Sequence, residues 1–144
     1  MNFEDGITIR ANAERVWAVY SDIERWPEWT ASITSVEHLS GRGVEVGARV
    51  RIRQPKLPKA IWEVTSLEPG VSWTWTSRAP GVTTKAWHRV TAQADGSARV
   101  TQGIEQSGPI GWLIGKVYGG LTRKYLAMEA AGLKARCEAQ VPQT

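Results

Sequence analysis

The chain contains one cysteine, Cys137, so it cannot form an internal disulfide, which fits a reducing compartment. Long hydrophobic runs are missing. Charge interrupts each apolar stretch within a few residues, and this excludes a transmembrane helix. The start, Met1-Asn2-Phe3-Glu4-Asp5, has acid where a secretory signal carries lysine or arginine. No signal is expected, and a cytoplasmic location is the default. Histidine is scarce. His38, His88 and Cys137 do not stand at metal-ligand spacing, so no metal site is expected. Neither a phosphate-binding loop nor a G-x-S-x-G nucleophile elbow occurs. Gly41-x-Gly43-x-x-x-Gly47 has the wrong spacing for a dinucleotide loop and reads as a flexible turn. No cofactor is expected. Phenylalanine is nearly absent too, with one Phe against eight Trp.

What is present describes an ordinary globular chain. Its 144 residues predict one domain, 1–144, with a single core. Hydrophobic residues at 42% and charged residues at 22% exclude a disordered chain. The net charge of +4 is mild. It permits an acidic ligand without demanding nucleic acid. Trp is large, rigid and amphipathic, and many Trp in a small domain suggest a lined pocket or contact surface.

Alternation over Phe3 to Arg10 predicts a first strand. Asn12 caps a helix over Ala13 to Tyr20. A second helical turn follows Asp22 and is expected to end before Pro27. Six strands come next: Ile33 to Leu39, Ala48 to Gln54, Lys59 to Leu67, Val71 to Ser77, Val82 to Gln93 and Ala98 to Gln106. Pro69-Gly70, Pro80-Gly81 and Asp95-Gly96 supply turns between the later ones. One long helix then runs from Ser107-Gly108-Pro109 to about Glu138, and residues 140–144 are expected to fray. Helices segregated to one face of an antiparallel sheet define an α+β architecture.

Alternation also predicts which side chains face inward. An even-length loop at Pro69-Gly70 puts Trp73 and Trp75 on one face with Trp62, Val64 and Ser66, leaving Glu63, Thr65, Thr74 and Thr76 to solvent. The next hairpin sets His88 beside Trp73 and Ala86 beside Trp75, with Thr84 and Val90 on the same face. An odd-length loop at Asp95-Gly96 brings in Val100, Gln102 and Ile104. On the last helix, Leu113, Ile114, Val117, Tyr118, Leu121 and Tyr125 share one broad stripe. His88, Gln102, Thr84 and Tyr118 are polar groups that a dry core would not choose.

These segments carry a resemblance. Ile7-Thr8-Ile9-Arg10-Ala11, Ala13-Glu14-Arg15-Val16-Trp17, Asp22-Ile23-Glu24-Arg25-Trp26-Pro27-Glu28-Trp29, Trp62-Glu63-Val64, Leu67-Glu68-Pro69-Gly70, Trp73-Thr74-Trp75 and Glu105-Gln106-Ser107-Gly108-Pro109 are similar to the START-like helix-grip superfamily (SRPBCC). The likeness is to its polyketide cyclase/dehydrase and lipid-transport branch, and it covers nearly the whole chain. It implies a START/Bet v 1-like fold: a curved antiparallel sheet around a long C-terminal helix, with two short helices after the first strand and a hydrophobic cavity between sheet and helix. Such folds host carriers, receptors and enzymes, so fold does not fix function.

Three functions are therefore expected in order. The first is binding of a small hydrophobic or aromatic molecule, lipid- or polyketide-like, by Trp62, Trp73, Trp75, Thr84, His88, Gln102, Ile104, Leu113, Val117, Tyr118, Leu121 and Tyr125. The second is a cyclase/dehydrase-type enzyme in which His88 transfers protons, although no catalytic motif transfers residue by residue. The third is an interaction module docking through Arg49, Arg51, Arg53, Lys56 and Lys59, read as a basic strand edge and loop. No stacking aromatics alternate with those charges, so nucleic acid is not an expected partner. A homodimer is compatible with the sequence. Trp26 and Trp29 are expected to close one end of the fold, and His38 to lie on the surface.

Overall fold

The computed structural model describes residues 2–139, so the expected frayed tail at 140–144 lies outside the described residues. The strands are β1 (Asn2–Ile9), β2 (Ser35–Ser40), β3 (Arg49–Arg53), β4 (Ala60–Glu68), β5 (Ser72–Ala79), β6 (Val82–Ala92) and β7 (Ala98–Ser107). Helix α1 (Ala13–Tyr20) and a 3-10 helix (Ile23–Glu28) follow β1, and α2 (Gly111–Ala139) closes the chain. The strands form one antiparallel sheet in the order β1-β7-β6-β5-β4-β3-β2. This is a helix-grip fold, with the sheet's concave face turned to α2.

Local chemistry sets the short helices. The Asn12 side chain accepts from the Arg15 N–H at 2.8 Å and caps α1. Pro27 does not end the next turn. The 3-10 helix runs through it to Glu28, with the Trp29 and Thr30 N–H groups both donating to the Trp26 carbonyl. Asp22 makes no side-chain cap there.

The hairpins place the inner face. Trp73 pairs with His88 and Trp75 with Ala86, while His88 pairs with Gln102 and Ala86 with Ile104. The β4–β5 hairpin differs from the even-loop expectation. Leu67 pairs with Trp73 across an odd-length loop, and Thr65 is then extruded as a bulge between Val64 and Ser66. One extra residue flips side-chain parity. Trp62 and Val64 therefore still face inward, but Ser66 turns outward opposite Thr74 and Leu67 takes the inner position. Thr76 is buried rather than solvated, with its hydroxyl 3.5 Å from that of Thr65.

The two halves of α2 have different surroundings. Its C-terminal half is clamped: Leu133 and Cys137 are buried, Arg136 pairs with Glu28 at 2.8 Å, and the Arg15 side chain donates to the Cys137 carbonyl at 3.2 Å. The Glu138 carboxylate accepts from the Arg10 N–H at 2.8 Å. Its N-terminal half exposes Trp112, Leu113 and Val117 and roofs a cavity.

Candidate functional site: a polar-floored aromatic cavity

A cavity of about 470 Å³ separates the inner sheet face from α2. Of the residues expected to bind ligand, Trp62, Trp75, Thr84, His88 and Ile104 reach it from the sheet, and Tyr118 and Tyr125 from the helix. Ile52 and Ala86 fill the wall between them. The mouth is bordered by the β3–β4 loop at Leu57, Pro58 and Lys59 and by Ile61 and Arg78. In that loop Lys56 has a φ of 65°. The Tyr125 hydroxyl donates to the Pro55 carbonyl and ties the loop to the helix.

Five expected residues lie elsewhere. Trp73 is completely buried, packed against Trp17, Tyr20 and Trp26, and does not line the cavity. Gln102 is also buried and lies outside the lining. It accepts from the Tyr20 hydroxyl at 2.9 Å and donates to the Leu126 carbonyl at 2.6 Å, so both ends of its amide are engaged within the protein. The inner sheet face is longer than the cavity, and α1 with the 3-10 helix covers this end as solid core. Leu113, Val117 and Leu121 also fall outside the lining, because the cavity takes the neighbouring stripe Ile114, Tyr118, Thr122, Tyr125 and Glu129. A 100° step per residue carries 113, 117 and 121 round the helix from it, and Leu113 and Val117 are exposed.

His88 is buried on the cavity wall, its ring stacked on Trp73 with centroids 4.2 Å apart and planes 10° apart. Its Nδ1 lies 3.3 Å from the Trp73 carbonyl oxygen. A carbonyl only accepts, so Nδ1 carries the proton and Nε2 presents a lone pair. Burial pushes the imidazole pKa down to about 3, with the Trp73 carbonyl opposing the shift. His88 is thus a fixed, neutral hydrogen-bond acceptor near neutral pH, and a weak base.

Glu129 was not among the expected residues. It lines the cavity, is only 7% exposed, and has no hydrogen bond to any described residue. Burial pushes its carboxyl pKa up to about 8. Its spacing of four from Tyr125 was the available signal: continuing the helical stripe one more turn puts an acid on the cavity side. Trp26, expected to close one end of the fold, does so from the 3-10 helix, packed against Trp73. It is buried, donates its Nε1 proton to the Tyr20 carbonyl at 2.9 Å, and reaches the cavity.

The basic face is less available than its sequence suggests. β3 lies between β2 and β4, so Arg49, Arg51 and Arg53 are not on a sheet edge. Arg51 pairs with Glu37 at 2.6 Å, and Arg49 sits opposite Glu63. His38 is not a plain surface residue: its ring bridges Glu24 at 2.5 Å and the Gly43 carbonyl at 3.0 Å. Among the described residues no three His, Cys, Asp or Glu side chains gather as a metal site, and no helix is long and apolar enough to cross a membrane.

Comparison with solved structures finds the same fold at low sequence identity. A START superfamily protein from Mycobacterium smegmatis aligns with a TM-score of 0.74 at 17% identity, over 97% of this chain and 99% of that one. Norcoclaurine synthase from Thalictrum flavum, solved with dopamine and hydroxybenzaldehyde, aligns with a TM-score of 0.77 at 14% identity, over 99% and 89%. The di-domain ARO/CYC protein BexL of the BE-7585A biosynthetic pathway aligns at 0.71 and 19% identity, over 97% of this chain and 47% of that one. No curated protein sequence matches the chain. Residues 1–138 match the family described as polyketide cyclase/dehydrase and lipid transport, and the chain belongs to that family, within the SRPBCC superfamily.

Proposed function

We propose that the protein binds a small, largely apolar and aromatic molecule between its sheet and α2. The observation that carries this reading is the cavity itself, about 470 Å³ and walled by Trp26, Trp62, Trp75, Tyr118 and Tyr125. This volume falls in the ~300–1,000 Å³ range of small-molecule sites, and aromatic walls with a few polar groups are their usual chemistry. The enzyme reading, with His88 moving protons, is weaker, because burial makes that imidazole a poor base. A reducing compartment suits the single buried thiol of Cys137.

The test is native mass spectrometry of the protein as purified, followed by titration with 2-acetylnaphthalene read by tryptophan fluorescence. Saturable quenching that weakens in Trp62→Ala and Trp75→Ala is expected, because each indole is a wall. Lys85→Ala, on the outer face, should leave binding unchanged. Equal binding by wild type and both Trp variants would place the ligand elsewhere and end this reading.

A further inference from the structure

Beside the uncharged polar side chains Thr84, Gln106 and Thr122, the cavity lining holds two deeply buried titratable side chains from different elements, Glu129 from α2 and His88 from β6. Each is more than nine-tenths buried. Glu129 has no hydrogen-bond partner among the described residues, and His88 has one on Nδ1 alone. An unpaired buried polar group is costly, so such groups are normally satisfied by something. Nothing else on the floor carries charge. The cationic residues that line the cavity, Lys59 and Arg78, are exposed, and the Arg51 guanidinium is paired with Glu37.

We propose that Glu129 selects the ligand: its carboxylic acid donates to an acceptor oxygen, a ketone or similar carbonyl, on an uncharged aromatic molecule. His88 Nε2 adds a second point by accepting from a hydroxyl on the same ligand. This rests on the binding reading above and assigns the chemistry of that site. An anionic ligand group would find no cation at the floor. A cationic one would have to be desolvated beside Glu129. The neutral carboxyl suits a carbonyl, and burial, which keeps Glu129 protonated to about pH 8, supports that assignment.

Proton linkage gives the inference a signature. The titratable groups around the floor are His88 on β6, Tyr20 on α1, and Tyr118 and Tyr125 on α2, with Asp5 on β1 acting on Tyr20. His88 is already neutral above about pH 3. The Tyr20 hydroxyl is pushed well above its ordinary value, by burial first and by Glu129 and Asp5 after that. A change in ligand affinity near pH 8 therefore reports Glu129.

The experiment compares four naphthalene probes by tryptophan quenching: 2-acetylnaphthalene, 2-ethylnaphthalene, 1-(2-naphthyl)ethylamine and 2-naphthoate. The ketone is expected to bind about tenfold more tightly than the hydrocarbon. That advantage should hold below about pH 8 and shrink above it as Glu129 ionises. Glu129→Gln keeps a donor, so the ketone preference should survive without its pH dependence. Glu129→Met should bind ketone and hydrocarbon alike. Tightest binding by the amine, with affinity rising through pH 8, overturns the proposal, as does a ketone preference untouched in Glu129→Met. Equal binding of ketone and hydrocarbon by wild type overturns this proposal alone. Failure of all four to bind the folded protein overturns the cavity-binding reading and this one with it.

Discussion

Trp73 and Trp62 stand on the same inner face yet serve different ends. Trp73 has no exposed surface and meets four aromatic side chains in addition to His88. Trp62 is half-buried and borders the cavity. Trp73→Ala should lower unfolding free energy by roughly 3–5 kcal/mol, as buried Trp truncations do. The measurement is urea denaturation, where a midpoint shift no larger than that of Trp62→Ala would contradict it. Alternation in the sequence correctly set His88 beside Trp73 and brought Gln102 onto the same inner face. It could not reveal depth. Whether an inward side chain meets ligand space or another ring depends on where α1 and the 3-10 helix land, and that is tertiary. Glu129 was readable in principle, as the acid on an otherwise apolar helical stripe, but its lack of a partner was not.

At the scale of elements, α2 is governed by its glycines. A Cβ on Gly132 would lie 2.0 Å from the Trp29 carbonyl oxygen, and a backbone atom cannot swing away. Gly132→Ala should therefore cost about 1–3 kcal/mol through overpacking, although alanine gains up to about 1 kcal/mol in helix propensity. Gly120 has open space around it. Gly120→Ala should stabilise by up to about 1 kcal/mol. Thermal melts of the two variants should move in opposite directions; two shifts of the same sign would refute the contact argument. The succession of elements along the chain was legible from turn residues and period, whereas the place of β1 beside β7 carries no local signal. The Thr65 bulge was not legible, because nothing in Val64-Thr65-Ser66 marks an extruded residue. The packing of Gly132 on Trp29 joins residues far apart in sequence and has no local signal either.

Across the whole molecule, two buried groups set opposing pH limits. Unfolded histidine takes a proton below its ordinary 6.5, whereas folded His88 refuses one until about 3, so stability falls as pH drops through that window. An unfolded glutamate releases its proton above 4.5, whereas folded Glu129 keeps it to about 8, so stability falls as pH rises through that range. Each slope is at most roughly 1.4 kcal/mol per pH unit. Between 4.5 and 6.5 the two oppose and nearly cancel. Glu138, held below its usual range by the Arg10 N–H and Lys134, adds to the acid-side loss. Urea midpoints against pH should show a plateau between about 4.5 and 6.5, with a decline on either side. Glu129→Gln should flatten the alkaline decline. A wild-type maximum at pH 8 or above would show that Glu129 is already ionised in the folded protein.

The hydrogen bond from Tyr125 to Pro55 joins the roof of the cavity to the loop at its mouth. On the binding reading proposed above, a molecule that passes this loop on leaving must loosen it, and so must one arriving. The bond therefore acts as a latch on residence time: it slows both directions of exchange while leaving the occupied fraction at equilibrium nearly alone. Tyr125→Phe keeps the ring against the ligand and removes only the latch. In stopped-flow mixing with 2-acetylnaphthalene, association and dissociation should both quicken by about fivefold, the worth of one hydrogen bond. A change confined to the off-rate would mean that the hydroxyl holds the ligand itself.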